Sequence, residues 1–194
     1  MNIIILNGGM GAGKDTLQQR ICEVLPDAVH IRFKNPLYKR MAEKFNLTME
    51  QVEYICNDRT LKDSPSDLLG GKTPRQELIF ISEEEFKKTV YGEDAVAIAS
   101  VDEILETDEY GRKTFVYSDG GFDNEIGCLK RLLKIYGLRN VTLVRINKEG
   151  TGFVGDSRNY IPNPDIIIDN DVFESAEQIG DHMIAQFNQL YNPH

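Results

Sequence analysis

Short β-branched runs and helical periods follow one another along the whole chain, the alternation that an α/β architecture requires. Asn2 to Leu6 is apolar apart from its first residue and stops at a glycine turn, which predicts a buried strand. Beyond that turn Leu17, Ile21, Val24 and Leu25 fall on one helical face. Val29 to Phe33 reads as a second strand, and Pro36 to about Asn57 carries two helical patterns broken at Asn46 to Thr48. Asp58 to Lys72 is rich in turn residues; Pro74 then suits the first turn of a helix placed at Thr73 to Thr89. A further helix is expected over Asp94 to Leu105, with a polar turn at Thr107 to Arg112. Thr114 to Tyr117, Val141 to Ile146 and Asp165 to Asp169 predict three more strands. The first two flank a helix with Ile126, Leu129, Leu132, Leu133 and Tyr136 on its apolar side, ended by Gly137. The last helix starts near Ser175, where Ser175 and Gln178 have capping-box spacing, and buries Ile179, Met183, Phe187 and Leu190.

Composition narrows the class. A chain of 194 residues with 41% hydrophobic content is long enough for one sizeable core. The formal net charge of -9 argues against wrapping a long nucleic acid, which depends on neutralising many phosphates. No apolar run is long enough for a membrane span and no secretory leader is apparent, so a cytoplasmic protein is expected. Cys22, Cys56 and Cys128 are odd in number and widely spaced, which indicates neither a disulfide framework nor a zinc site.

The chemistry starts at Gly8-Gly9-Met10-Gly11-Ala12-Gly13-Lys14-Asp15-Thr16, which fits G-x-x-x-x-G-K with aspartate where serine or threonine is usual. Glycines let successive N–H groups turn inward, the following helix adds its positive end, and Lys14 offers a charge to the β- and γ-phosphates of a nucleoside triphosphate. Asp15, with Thr16 beside it, is a candidate contact for Mg²⁺; equally, it is a first-turn acid that favours the helix dipole.

Four other polar groupings invite roles. His30 to Lys39 leaves the second strand near the carboxyl edge of the sheet; Phe33 there suits base stacking, while His30, Lys34 and Lys39 equally form a solvated rim. Thr73-Pro74-Arg75-Gln76 either holds a phosphate at a helix start or is a simple capped helix. Asp119 ends a strand as a metal-side or acceptor-polarising carboxylate does, or else opens a turn with Gly120 and Gly121. Arg145, Lys148, Asp156, Ser157 and Arg158 belong to a stretch with the polarity of a lid.

Taken in order, GKDT at Lys14 to Thr16 with its preceding glycine, FKNPLY at Phe33 to Tyr38, TPRQELIFISEE at Thr73 to Glu84, SDGGFDNE at Ser118 to Glu125 and DSRNY at Asp156 to Tyr160 resemble the phage deoxynucleoside monophosphate kinases. The resemblance implies a three-layer P-loop NTPase sandwich, a mostly parallel sheet of about five strands with helices on both faces. It implies one domain over 1–194, with an acceptor-binding helical region at about 34–90 and a lid-like loop at about 147–163. It also implies transfer of the γ-phosphoryl group of ATP, with Mg²⁺, to a (deoxy)nucleoside monophosphate. Gly8 to Thr16 and Arg145 then serve ATP; Phe33, Pro36, Lys39, Arg75, Gln76, Asp119 and Phe122 serve the acceptor; Lys14, Asp15, Asp119 and Arg158 are the catalytic candidates. One departure stands out: Gly121 occupies the place of an arginine expected two residues after the aspartate. Another phosphorylated small molecule as acceptor, or a non-enzymatic nucleotide-dependent regulatory module, fits the loop as well. The accepted base, the sugar preference and the oligomeric state, a homodimer included, stay open.

Overall fold

A computed structural model of the chain describes residues 1–108, 113–120, 122–137, 140–153 and 158–191. It contains two compact units: a sheet unit of residues 1–33 and 101–194, and a helical unit of residues 34–100.

The sheet unit holds five strands, β1 (Asn2–Asn7), β2 (Ala28–Ile31), β3 (Thr114–Gly120), β4 (Asn140–Asn147) and β5 (Ile166–Asp169). All pairings are parallel, in the order β2-β3-β1-β4-β5. A central parallel strand is covered on both faces, which explains why β1 reads as an apolar run rather than an alternation. Ile4 and Leu6 point to one face, where Leu17 and Ile21 of α1 (Lys14–Val24) meet Ile179, Met183 and Phe187 of α7 (Ala176–Tyr191). Ile3 and Ile5 point to the other, against Val101 and Ile104 of α5 (Ala95–Thr107) and Ile126, Leu129 and Leu133 of α6 (Asp123–Ile135). Each such isoleucine or leucine stabilises the fold by about 2 kcal/mol. The sheet with helices on both faces is the α/β architecture anticipated.

Strand order also positions the site. From β1 the chain leaves toward β2, whereas from β4 it leaves toward β5, so the exits of these neighbours diverge. Divergence opens a crevice at the carboxyl ends of the strands, the place where open α/β sheets bind ligands. The glycine loop follows β1 there.

α1 is tied to α7 by Arg20, whose guanidinium reaches Glu177 at 3.4 Å and Asp181 at 3.2 Å. Its stem lies across Gly180, where an added Cβ would stand 2.3 Å from Arg20 Cγ.

The helical unit packs α2 (Asn35–Phe45), α3 (Met49–Asn57) and α4 (Pro74–Phe80) around Tyr38, Met41, Val52, Ile55, Leu69 and Ile81. The expected break after α2 is made by Asn46 in a left-handed conformation (φ 53°) and by a complete Thr48/Gln51 capping box. Glu77 is fully buried, its two oxygens meeting Lys44 at 2.7 Å and Lys72 at 2.8 Å.

Several boundaries differ from the sequence reading. β2 ends at Ile31, because the pairing with β3 stops there and Arg32 and Phe33 run on without a ladder partner. The helix placed at Thr73 to Thr89 is α-helical only to Phe80; Ile81–Phe86 then widens into a π-helix, with Lys87 N–H reaching back to Ser82 O at 2.9 Å. The wider turn lets Ile81 and Phe86, five residues apart, face the same apolar cluster. Val24 is 36% exposed, outside the apolar stripe of α1. At α7, Ser175 Oγ accepts from Gln178 N–H, but the Gln178 carboxamide accepts from Glu174 N–H, so the capping box is half formed. Of the polar turn at Thr107 to Arg112, residues 109–112 including Gly111 lie outside the described residues. Among the described residues, no helix is long and apolar enough to cross a membrane.

Candidate functional site

The glycine loop is built by close backbone approaches. A Cβ at Gly8 would stand 2.7 Å from Ile146 O of β4, and one at Gly9 2.5 Å from Gly152 N. Gly11 and Gly13 hold φ of 82° and 96°, which side-chain-bearing residues rarely adopt. Ala12 N–H closes the turn on Gly9 O at 3.2 Å, and the Asn170 carboxamide donates to Ala12 O at 2.8 Å. Lys14 curls over the ring, its Nζ 2.6 Å from Gly8 O and 2.8 Å from Gly9 O. The ammonium and the loop's main chain therefore form one positively biased cradle.

α1 begins without a side-chain cap: Gly13 is its N-cap. α2 and α6 also start without one, whereas α3 and α4 carry complete capping boxes. A helix start without a side-chain acceptor turns the positive end of its dipole outward, and beside the Lys14 ammonium that end favours negative charge. Met10 is 70% exposed at the loop's tip, and Asp15 and Thr16 are exposed on the first turn of α1.

Cavities among the described residues flank this turn, two of them of about 480 and 430 Å³. The smaller of these two is walled by Gly13, Thr16, Leu17, Lys148, Asn170, Asp171, Phe173, Glu174, Ser175 and Ile179. It sets the apolar side chains of Leu17, Phe173 and Ile179 among the Asn170 carboxamide, the Lys148 ammonium and the carboxylates of Asp171 and Glu174, so hydrogen-bonding groups and both signs of charge line it next to the glycine loop. The other, of about 480 Å³, runs between Asp15, Gln18, Gln19, Cys22 and Glu23 of α1 and His30 and Arg32 at the end of β2.

At the carboxyl end of β3, Asp119 Oδ1 accepts from Phe33 N–H at 2.9 Å, and Ser118 Oγ lies 2.9 Å from His30 Nε2. Phe33, offered by sequence for base stacking, is 2% exposed, and its ring stacks on Tyr117 with centroids 4.3 Å apart. Its side chain is a core element, and its main-chain N–H is what engages Asp119. Phe122 caps α6 and is partly exposed. Gly121 lies outside the described residues.

The stretch read as a lid is pinned at its neck. Phe153 packs edge-on against Tyr160 at 5.0 Å, and Arg145 lies over the Tyr160 ring while its Nη2 donates to Ile161 O at 2.7 Å. Arg145, a candidate for ATP, thus holds the returning arm of the loop. Arg158 is half-buried in that arm, Lys148 lines the smaller cavity, and Asp156 and Ser157 lie outside the described residues.

In the helical unit Pro36 is buried in the first turn of α2 and Lys39 is exposed on it. Lys34 Nζ and Tyr38 Oη both donate to Asn57 Oδ1, each at 3.1 Å. The Gln76 side chain accepts from Thr73 N–H at 3.0 Å, the capped-helix arrangement of this motif. Arg75 grips Asp63 with Nε and Nη2, and its guanidinium holds the Asp63 carboxyl below the usual aspartate range.

No protein-family model matches the chain, and no curated protein matches it. Solved structures do. A hexameric APS kinase from Thiobacillus denitrificans aligns over 97% of this chain and 29% of its own, with 7% identity and a TM-score of 0.50. The chain shares the fold of that protein. An APS kinase from Mycobacterium tuberculosis in complex with AMPPNP and APS aligns over 96% of this chain and 97% of its own, with 11% identity and a TM-score of 0.49. A sugar kinase from a Janibacter species aligns over 97% and 95%, with 10% identity and a TM-score of 0.46. At 7% identity the first of these likenesses extends to the fold alone.

Three contributors escaped sequence reasoning. Asn170 and Gly152 meet the loop from positions about 140 to 160 residues away, and nothing local marks them. Asn7 did leave a signal, a polar side chain ending an apolar strand just before the glycines.

Proposed function

We propose that the protein transfers the γ-phosphoryl group of ATP to the phosphate of a (deoxy)nucleoside monophosphate, giving the diphosphate and ADP. The observation that carries this reading is the glycine loop, with Lys14 Nζ held over its carbonyls and an uncapped helix start behind it. The motif order that resembles the phage deoxynucleoside monophosphate kinases supports the acceptor class. A phosphate oxygen of the acceptor attacks the γ-phosphorus as the bond to ADP breaks, so the protein mainly positions charges and excludes water.

In this reading Gly8 to Thr16 bind the triphosphate, and the 430 Å³ cavity takes the donor nucleoside. Asp15 and Thr16 supply hard oxygen donors that fit Mg²⁺, which keeps most of its own waters and neutralises phosphate charge. Lys14 and Arg158 offset charge developing on the transferred group, Asp119 fixes the exit of β2 beside it, and Arg75 holds the acceptor phosphate. Pro36, Lys39 and Phe122 are the remaining acceptor candidates, the Phe33 ring and the Gln76 side chain being engaged within the fold.

An ADP-release assay across deoxynucleoside and nucleoside monophosphates tests the proposal. Acceptor-dependent turnover is expected, abolished by Lys14→Ala with the fold retained. Turnover only with other phosphorylated metabolites would move the acceptor class. Slow hydrolysis indifferent to any acceptor would make the chain a nucleotide-dependent regulatory module.

A further inference from the structure

The Asn7 carboxamide is 0% exposed at the end of β1, in a strand that is otherwise apolar from Ile3 to Leu6. A buried carboxamide is costly unless bonded. Here every bond goes to main chain far away in sequence: Nδ2 donates to Gly120 O at 3.1 Å and to Asn159 O at 3.0 Å, and Oδ1 accepts from Ile161 N–H at 2.9 Å.

The first of these bonds falls on an irregularity. Ile5 pairs with Tyr117, but Asn7 pairs with Gly120, so two residues of β1 face three of β3. The extra residue bends the strand and re-aims the side chains at Ser118 and Asp119. Only glycine fits at position 120, where a Cβ would stand 2.4 Å from Ile5 Cγ2. Asn7 therefore holds the bulge that turns Asp119 toward the Phe33 N–H. The other two bonds hold the returning arm. The Ile161 N–H sits on Asn7 and the Ile161 carbonyl on Arg145, with Arg158 three residues upstream.

We propose that Asn7 is a positioning residue for phosphoryl transfer: one carboxamide sets the two main-chain stretches bearing Asp119 and Arg158 relative to the phosphate loop. Packing alone does not require it, since the ladders from β1 to β3 and β4 and the burial of Ile161 already join these elements. What an apolar side chain would not supply is the orientation of three peptide groups. The inference rests on the transfer reading for the roles of Asp119 and Arg158; the clamp itself does not.

Asn7→Ala is the direct test, with Asn7→Ser as a second, milder variant should alanine prevent folding. Calorimetry with MgATP should give affinity within about threefold of wild type, because the loop amides are untouched, while kcat falls about 100-fold and KM for ATP holds. Amide exchange followed by NMR should show protection at Ile161 falling about tenfold or more, with Ile4 and Leu6 unchanged. A kcat within about threefold of wild type in a folded variant that has lost Ile161 protection would overturn the proposal, as would unchanged Ile161 protection. MgATP affinity lost in step with kcat would also overturn it, reducing Asn7 to a support of the loop. If wild-type protein showed no acceptor-dependent turnover, the transfer reading would fail, yet loss of Ile161 protection on substitution would still establish the clamp.

Discussion

Replacing Gly9 with alanine puts a methyl group where the structure has no room for one. The new Cβ would lie 2.5 Å from Gly152 N and 2.7 Å from both Gly152 Cα and O. All three are main-chain atoms, so no side-chain rotation relieves the contact. Ordinary contact begins near 3.4 Å, so the loop and the Gly152 segment must separate by about 0.9 Å. Overpacking of this kind costs about 2 kcal/mol, and a domain of this size then melts about 4 to 8 °C lower. A displacement near 1 Å also misdirects the loop amides, so transfer should drop about 100-fold, with weaker MgATP binding in calorimetry. Gly152→Ala is the internal control. Seen from that side an added Cβ meets nothing within 4 Å, and the residue's φ is not in the left-handed range, so the change should stay within about 0.5 kcal/mol. A Gly9→Ala protein with wild-type melting and wild-type MgATP affinity would refute the packing of the loop on Gly152.

Gly180→Ala sets an overpacking strain of about 2 kcal/mol against the Arg20 stem and gains about 1 kcal/mol of helix propensity, so a net loss of about 1 kcal/mol is expected by urea titration; a raised midpoint would show that Arg20 repacks freely. Burial opposes ionisation of Glu77, but hydrogen bonds from Lys44 and Lys72 outweigh it and leave its carboxyl below the ordinary glutamate range. Its stabilising effect is therefore complete above that range and lost as pH falls through the lowered value. Glu77→Gln should cost about 2 kcal/mol at pH 7 and flatten the acid limb of a stability-versus-pH curve; an unaltered limb would count against the pairing. Burial pushes the Cys56 thiol up to about 11, so its alkylation at pH 8 should await unfolding, and rapid labelling of native protein would contradict its place in the core.

Much of the fold was legible because the relevant signals are local. Buried parallel strands leave apolar runs, as at Asn2 to Leu6 and Val141 to Ile146, and the cradle needs its glycines and lysine within nine consecutive positions. Asn46 and the Thr48/Gln51 box likewise act within a few residues, so the break between α2 and α3 could be read directly. Where a boundary depended on a distant partner, the reading slipped. β2 ends where β3 stops pairing with it, and the π-helical widening after Phe80 follows from what Ile81 and Phe86 pack against.

Side-chain roles divide along the same line. Phe33 is an aromatic beside a strand exit in the sequence; that its ring faces Tyr117 is decided by the pairing of β2 with β3. Arg145 and Gln76 offered hydrogen-bond donors or acceptors for a ligand, and the folded chain engages both internally, one on Ile161 O and one on Thr73 N–H. By itself the sequence determined the order of elements and the glycine loop with its lysine, because period, turn chemistry and helix starts depend on neighbours. Only the tertiary structure decided the strand order, the bulge at Ser118 and Asp119 and the three bonds of Asn7, because those depend on main-chain groups more than a hundred residues apart.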